Sequence, residues 1–371
     1  MRILIATGVY PPEIGGPATA MLLFVKKLRS EGHDVHVLTY GEMREEENVI
    51  AIPRVGNVLQ RYRRFAAIAR KQLKECDVVI ATDVFSVGIP VRFALLFKKT
   101  RFILRLGGEF AWEDAVNKKR TQKPLKLFWK EDSVGWRMKC IRWNYLWILK
   151  RAEIICVTSD WLKTILMDEF PECTEKYVTV WQDEAPHPAV SSDIINAKPH
   201  TPLRFVYIGR FAPVKNVITV AYALKAVSER GIDIECVFVG MGETMNECKN
   251  ILHNVKGIYF MGNVDQDALP AILSESDILL LPSLSDICPN AVVEALSYGV
   301  PVLMTIEHGL PRPVLGAMEL DPLNVGVWTE KIIELATNTI AYVELRNMVV
   351  PIEFPITRKL VEIANVSFPI K

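Results

Sequence analysis

Two acids, Asp286 and Glu294, stand eight positions apart in the stretch LPSLSDICPNAVVEALSYGVPVL, residues 281–303, with a Cys-Pro-Asn turn between them. The preceding run SDILLLPS has the length and apolar continuity of a buried strand. Ala291 to Tyr298 has helical composition, opened by Pro289 and Asn290 and closed by Gly299. A proline near the first helical position loses only an N–H that would lack a partner anyway, and a glycine past the last turn suits a left-handed cap. The N–H groups of Asn290, Ala291 and Val292 are therefore expected to point bare into the loop. Unpaired N–H groups and aligned peptide dipoles attract anions together, the dipole contributing about 0.3–1 kcal/mol when exposed. A phosphate flanked by two carboxylates that accept hydroxyl hydrogen bonds describes a sugar nucleotide. Taken alone, the stretch also fits a solvated turn at Asp286 and a wet helix face at Glu294.

The elements that must position these groups recur along the chain. RILIATGVYPPEIGGPATAMLLFVKKLRSEGHDVHVLTYG runs strand, glycine, loop, helix, glycine, strand, and LRFVYIGRFAPVKNVITVAYALKAVSERGIDIECVFVG repeats that order near residue 203. Short apolar strands alternating with helices predict parallel sheets covered on both faces, and the restart predicts two of them. Further strands are expected at 77–82, 101–106 and 153–159, and at 257–262, 276–283 and 300–305, with an irregular loop after 306 and helices from there on. A length of 371 residues also exceeds the roughly 250–300 at which one core stops growing. The expected division is a first domain at 1–185, a Pro-rich and polar linker at 186–202, a second domain at 203–345 and a C-terminal helical segment at 346–371 that returns toward the first domain.

Composition excludes several classes. A net charge of +1 argues against bulk nucleic-acid binding, and seven cysteines scattered without paired close spacing argue against a disulfide scaffold or a zinc cluster. Cys288 reads as a turn-packing residue. No apolar run is long enough to cross a bilayer, and MRILIATG reads as a strand, so the chain is expected to be cytoplasmic. A dinucleotide oxidoreductase would need G-x-G-x-x-G after its first strand, and neither GVYPPEIGG nor GRFAPVKN supplies it.

With these stretches together, from the Gly15-Gly16 loop through IGRFAPVKN, FVGMGE and YFMGNV to the opening stretch, the chain resembles the retaining glycosyltransferases of family 4, the group 1 glycosyltransferases. The resemblance implies a GT-B fold: two facing Rossmann-like α/β domains with a ligand cleft between them. It implies transfer of a sugar from a nucleotide-sugar donor to a glycan or lipid-linked acceptor with retention, and no metal or other cofactor. In that family an Arg and a Lys after the first strand of the second domain neutralise the leaving diphosphate, and Arg210 and Lys215 occupy those places. Glu294 matches the glutamate that bonds ribose, and Asp286 replaces the one that contacts the donor sugar. The base is expected near Gly240 to Gly242 and Met261 to Val264, and Gly15-Gly16 lets backbone approach phosphates or acceptor without a Cβ in the way.

Departures from the family pattern are equally concrete. RLGGEFAWED stands where many members carry His-Gly, so Glu109 is a candidate for the sugar contact or a helix-capping carboxylate. IEHGLPRPVLGAMELDP is shorter than the usual donor loop, which keeps a catalytically silent sugar-nucleotide or glycan binder as the alternative. An epimerase would need a further acid and base. Asp265-Gln266-Asp267 imitates a metal triplet, but its place before an apolar-periodic helix predicts N-capping by Asp265. Residues 117–151 concentrate cations and tryptophans, a composition suited either to an anionic membrane surface, which would make the chain peripheral, or to a core helix with a charged outer face.

Overall fold

A computed structural model of the chain describes residues 1–13, 16–42, 47–131, 135–180 and 199–352. Gly15, most of the linker and the segment 353–371 lie outside the described residues. Two compact units emerge, the first drawn from Met1–Ala111 and Trp129–Glu184, the second from Trp112–Phe128 and Ala185–Phe354. Residues 112–128, which chain order assigns to the first half, thus pack with the second unit.

The first unit holds β1 (Arg2–Thr7), β2 (Asp34–Tyr40), β3 (Val49–Ile52), β4 (Val78–Ala81), β5 (Arg101–Leu106), β6 (Ile154–Val157) and β7 (Tyr177–Thr179). All are parallel, in the order β3-β2-β1-β4-β5-β6-β7. Ile3 and Ile5, Val35 and Val37, and Val78 and Ile80 alternate along their strands and so share one face. Met21, Phe24, Val25 and Leu28 of the helix Gly16–Ser30 recur at helical spacing and cover them. Each such buried side chain contributes about 1.5–3 kcal/mol.

The second unit holds β8 (Arg204–Ile208), β9 (Glu235–Val239), β10 (Ile258–Gly262), β11 (Ile278–Leu281), β12 (Val302–Thr305) and β13 (Ala317–Leu320), parallel in the order β10-β9-β8-β11-β12-β13. Phe205, Tyr207, Phe238, Leu280 and Leu303 bury against the helix Val217–Glu229. Val206, Leu279, Leu281 and Val302 bury against Val292, Val293 and Leu296 of the helix Asn290–Ser297. Strands covered on both faces read as continuous apolar runs, as ILLL and VLMT do. From β8 the chain winds outward to β10, then returns to β11 and winds the other way. Connections after β8 and β11 therefore leave in opposite directions and open a crevice at the carboxyl ends of those strands.

Strands β3, β7 and β13 were not expected from the sequence. Each is a sheet edge of three or four residues, and β13 lies inside the stretch expected to be irregular.

Candidate functional site at the strand-order reversal

Both loops that flank the crevice are pinned before any side chain reaches into it. After β8, Tyr207 Oη donates to the Arg210 carbonyl at 2.9 Å, and Phe211 N donates to Met241 O at 2.9 Å. Gly240 and Gly242 make that contact feasible: their φ angles are +120° and +154°, and a Cβ would stand 2.0 Å from Gly209 O or 2.3 Å from Phe211 O. The turn Pro213–Lys215 ends at Asn216, in the left-handed region. Asn216 Nδ2 donates to Pro282 O at 3.1 Å and Pro322 O at 2.7 Å, while Leu284 N donates to Val214 O at 3.0 Å. The β8 and β11 loops are thus tied together by hydrogen bonds.

That tie brings Lys215 Nζ to 2.6 Å from Asp286 Oδ2, which also accepts from Ser283 Oγ at 3.1 Å. Asp286 is 7% exposed, and its backbone is held as tightly as its side chain. Asp286 N donates to Glu307 O at 2.8 Å, and Gly309 N donates to Asp286 O at 2.9 Å, a one-residue parallel bridge across His308. His308 is fully buried. Its Nδ1 accepts from Leu310 N at 3.2 Å, which leaves the proton on Nε2, 3.2 Å from Glu319 Oε1 on β13. Arg312 Nη2 pairs with the other Glu319 oxygen at 3.1 Å and donates to Ile306 O at 2.6 Å. Burial pushes the His308 pKa down, against the pull of Glu319. The shortened loop after β12 therefore serves as a brace for Asp286, a role carried by His308 that no local sequence pattern announces.

Arg210 is exposed and makes no side-chain hydrogen bond or ion pair among the described residues, in contrast to Lys215. Glu294, half-buried on the helix Asn290–Ser297, likewise has no partner there, and burial raises its carboxyl pKa. A desolvated carboxylate without a donor is suited to receive a ligand's hydroxyls.

Several expectations need correction. Asn290 N donates to Cys288 O at 3.0 Å and Val292 N to Pro289 O at 3.0 Å, so of the three expected bare N–H groups these two are engaged in the turn itself. Glu109 is 1% exposed within the first unit, where its Oε1 accepts from the Tyr145 hydroxyl and from Ala111 N at 3.4 Å, leaving no face for a sugar. Asp265 makes no side-chain cap, because the turn Gln266–Ala268 closes through its backbone carbonyl instead. Met261 is half-exposed at the end of β10, Val264 packs on the second core, and Gly16 begins the helix Gly16–Ser30.

One acid was missed. Glu113, from the helix Phe110–Asn117, lies in the segment that packs with the second unit. Burial raises its pKa, Lys215 and Arg210 oppose the rise, and Asp286 adds to it. Leu125 N, from the same segment, donates to Ser285 Oγ at 2.9 Å, next to Asp286. Glu113 follows Glu109 by one helical turn, and only the tertiary placement of 112–128 separates their roles.

The family follows from what the chain is similar to. Residues 14–182 match the family described as Glycosyltransferase Family 4, and residues 202–338 match Glycosyl transferases group 1. The chain belongs to the group 1 glycosyltransferases. Among relatives of this glycosyltransferase, the Escherichia coli UDP-Gal:alpha-D-GlcNAc-diphosphoundecaprenol alpha-1,3-galactosyltransferase is 34% identical over 111 residues, 28% of each chain. An uncharacterized glycosyltransferase of Methanocaldococcus jannaschii is 24% identical over 311 residues, 76% of this chain and 74% of that one. The first three curated relatives are thus matched over only 28–32% of their own length. Sucrose-phosphate synthase from Thermosynechococcus elongatus superimposes with a TM-score of 0.69 at 14% identity, covering 94% of both chains. The lipopolysaccharide outer core galactosyltransferase WaaB does so with 0.65 at 15%, also over 94% of both. At such identity these structures speak for the fold: GT-B, with two Rossmann-like units.

Proposed function

We propose that this glycosyltransferase moves a sugar from a nucleotide-sugar donor to a hydroxyl of a glycan or lipid-diphosphate-linked acceptor, with retention of configuration. The observation that carries the reading is the Lys215–Asp286 pair at the strand-order reversal, with Arg210 unengaged and Glu294 desolvated beside the same crevice. Arg210 and Lys215 take the diphosphate, Glu294 the ribose hydroxyls and Asp286 the donor sugar. Negative charge grows on the diphosphate as the glycosidic bond breaks, so two cations stabilise departure more than binding. Asp286 faces the sugar as its ring gains positive charge. The departing phosphate oxygen takes the acceptor's proton, and the cations alone meet the diphosphate's charge, so no metal is invoked.

The acceptor class is supported by the diphosphoundecaprenol named for the Escherichia coli relative. A membrane-bound acceptor also gives a role to residues 117–151. No helix among the described residues is long and apolar enough to cross a bilayer. The helix Trp136–Arg151 contains five cations and no acid, and exposes Trp136 by 79% and Trp143 by 63%. We assign that helix, rather than 117–128, to contact with the anionic cytoplasmic face of a membrane. Seven free cysteines fit that reducing side. Incubation with the sugar nucleotide that binds and a lipid-diphosphate glycan, followed by NMR of the product's anomeric proton, tests the reading. Retained configuration supports it, and an inverted product or no transfer with any donor refutes it.

A further inference from the structure

From Asn48 to Lys74 the chain carries seven cations and no acid. The turn joining β3 to the helix Val58–Gln72 is built rather than loose. Gly56 has φ +86°, and a Cβ there would stand 2.3 Å from Gln60 Oε1. Asn57 and Gln60 cap the helix reciprocally, Gln60 N donating to Asn57 Oδ1 at 2.9 Å and Asn57 N to Gln60 Oε1 at 3.1 Å. Arg64 donates to the Val55 carbonyl. Arg54 donates to Gly8 O at 3.0 Å and pairs with Glu13 at 2.9 Å, tying the turn to the loop after β1. What this fixed turn presents to solvent is apolar: Val55 is 61% exposed, Val58 51% and Leu59 65%. A shallow, open depression of about 430 Å³ lies there, lined by Val55, Gly56, Gln60, Arg63 and Arg64. It lies beyond the carboxyl end of β3, the end at which parallel sheets receive ligands.

We propose that this turn seats the lipid-diphosphate end of the acceptor, with Val55, Val58 and Leu59 against the first units of the lipid chain and Arg63 and Arg64 on the diphosphate. A free inorganic anion would gain nothing from three exposed aliphatic side chains, and a neutral lipid nothing from Arg63 and Arg64, which form no ion pair among the described residues. An amphiphile carrying phosphate uses both, since guanidinium forks grip phosphate oxygens and aliphatic surface leaves water together with the lipid. The assignment rests on the acceptor reading given above.

The test titrates the full chain with geranylgeranyl diphosphate, using pyrophosphate and geranylgeraniol as probes of each half of the chemistry. The diphosphate lipid should bind about tenfold or more tightly than either probe, and Arg63→Gln and the double change Val58→Ser/Leu59→Ser should each weaken it about tenfold. Nucleoside-diphosphate binding, a property of the second unit, should not change in these variants. Equal affinity for the lipid diphosphate and pyrophosphate, or variants that bind the lipid like wild type, would overturn the proposal. If no nucleoside diphosphate binds the wild-type chain, the transferase reading fails separately, whatever the lipid result.

Discussion

Lys215 and Asp286, 71 positions apart in sequence, form a 2.6 Å ion pair because the loops after β8 and β11 are tied to each other at Asn216–Pro282 and Leu284–Val214. An arriving diphosphate competes for the same ammonium group. On the proposed reading, donor binding would turn Lys215 into a cation shared between Asp286 and phosphate, with Ser283 and the His308 brace keeping Asp286 in place beside the sugar.

A double-mutant cycle measures that pair. Lys215→Ala leaves a nearly buried carboxylate with Ser283 as its remaining side-chain donor, and because Lys215 is itself 29% exposed the cost should be about 1–3 kcal/mol. Asp286→Asn added to it should recover part of that loss in urea unfolding. Additive effects would mean the pair is not coupled.

Glu294 should show opposed effects on stability and binding. Its carboxyl pKa is raised in the folded chain, so native protein holds that proton more tightly than unfolded protein does. Stability is then lost as pH rises above the ordinary carboxyl range, and the penalty persists at neutral pH. Glu294→Gln should raise the melting temperature at pH 7, with the gain shrinking near pH 4, yet weaken donor binding by about 1.5–3 kcal/mol. A variant that is both less stable and unchanged in donor KM would contradict this.

His308 gives a pH signature of the opposite sense. Burial lowers its pKa, so the unfolded chain binds the proton first; the stability His308 contributes is present above about 6.5 and falls as pH drops below it. Glu319 and Arg312 face the ring and Asp286 lies across the bridge, so protonation strains the brace itself. His308→Gln, which can still donate to Glu319, should flatten the acid limb of the stability profile relative to wild type in denaturant titrations from pH 5 to 8. An unchanged acid limb would show that His308 does not govern it.

The proposed membrane contact would rest on exposed tryptophans and on a helix that carries five cations and no acid. Trp136→Ser with Trp143→Ser should abolish co-sedimentation with anionic vesicles at low salt without altering the melting temperature. Wild-type binding should fade as salt shortens the Debye length to about 10 Å at 0.1 M and below. Equal sedimentation of variant and wild type would return this helix to the role of an ordinary charged surface.

Much of this is legible in the sequence alone. The doubled strand-loop-helix-strand order shows two parallel sheets, and the eight-residue spacing of Asp286 and Glu294 marks the second unit's crevice. What escaped was non-local. β3, β7 and β13 are short edges whose pairing comes from a neighbour rather than from their own pattern. Glu109 and Glu113 stand one turn apart at the start of one helix, and only tertiary packing gives the first Tyr145 and the second the charges of Lys215 and Arg210; His308 likewise matters because Glu319 is folded beneath it. The bare helix start was misjudged because proline-led turns can satisfy their own N–H groups, as Asn290 and Val292 do.

The central claim is that Arg210, Lys215 and Glu294 bind one nucleoside diphosphate at the reversal of strand order. Calorimetric titration of UDP, GDP and ADP into the wild type and into Arg210→Ala, Lys215→Ala and Glu294→Gln tests it most directly. One nucleotide should bind the wild type, and each single variant should weaken it by about tenfold or more, with the proteins still folded. Binding that survives all three substitutions, or no binding of any nucleotide by the wild type, would contradict the account.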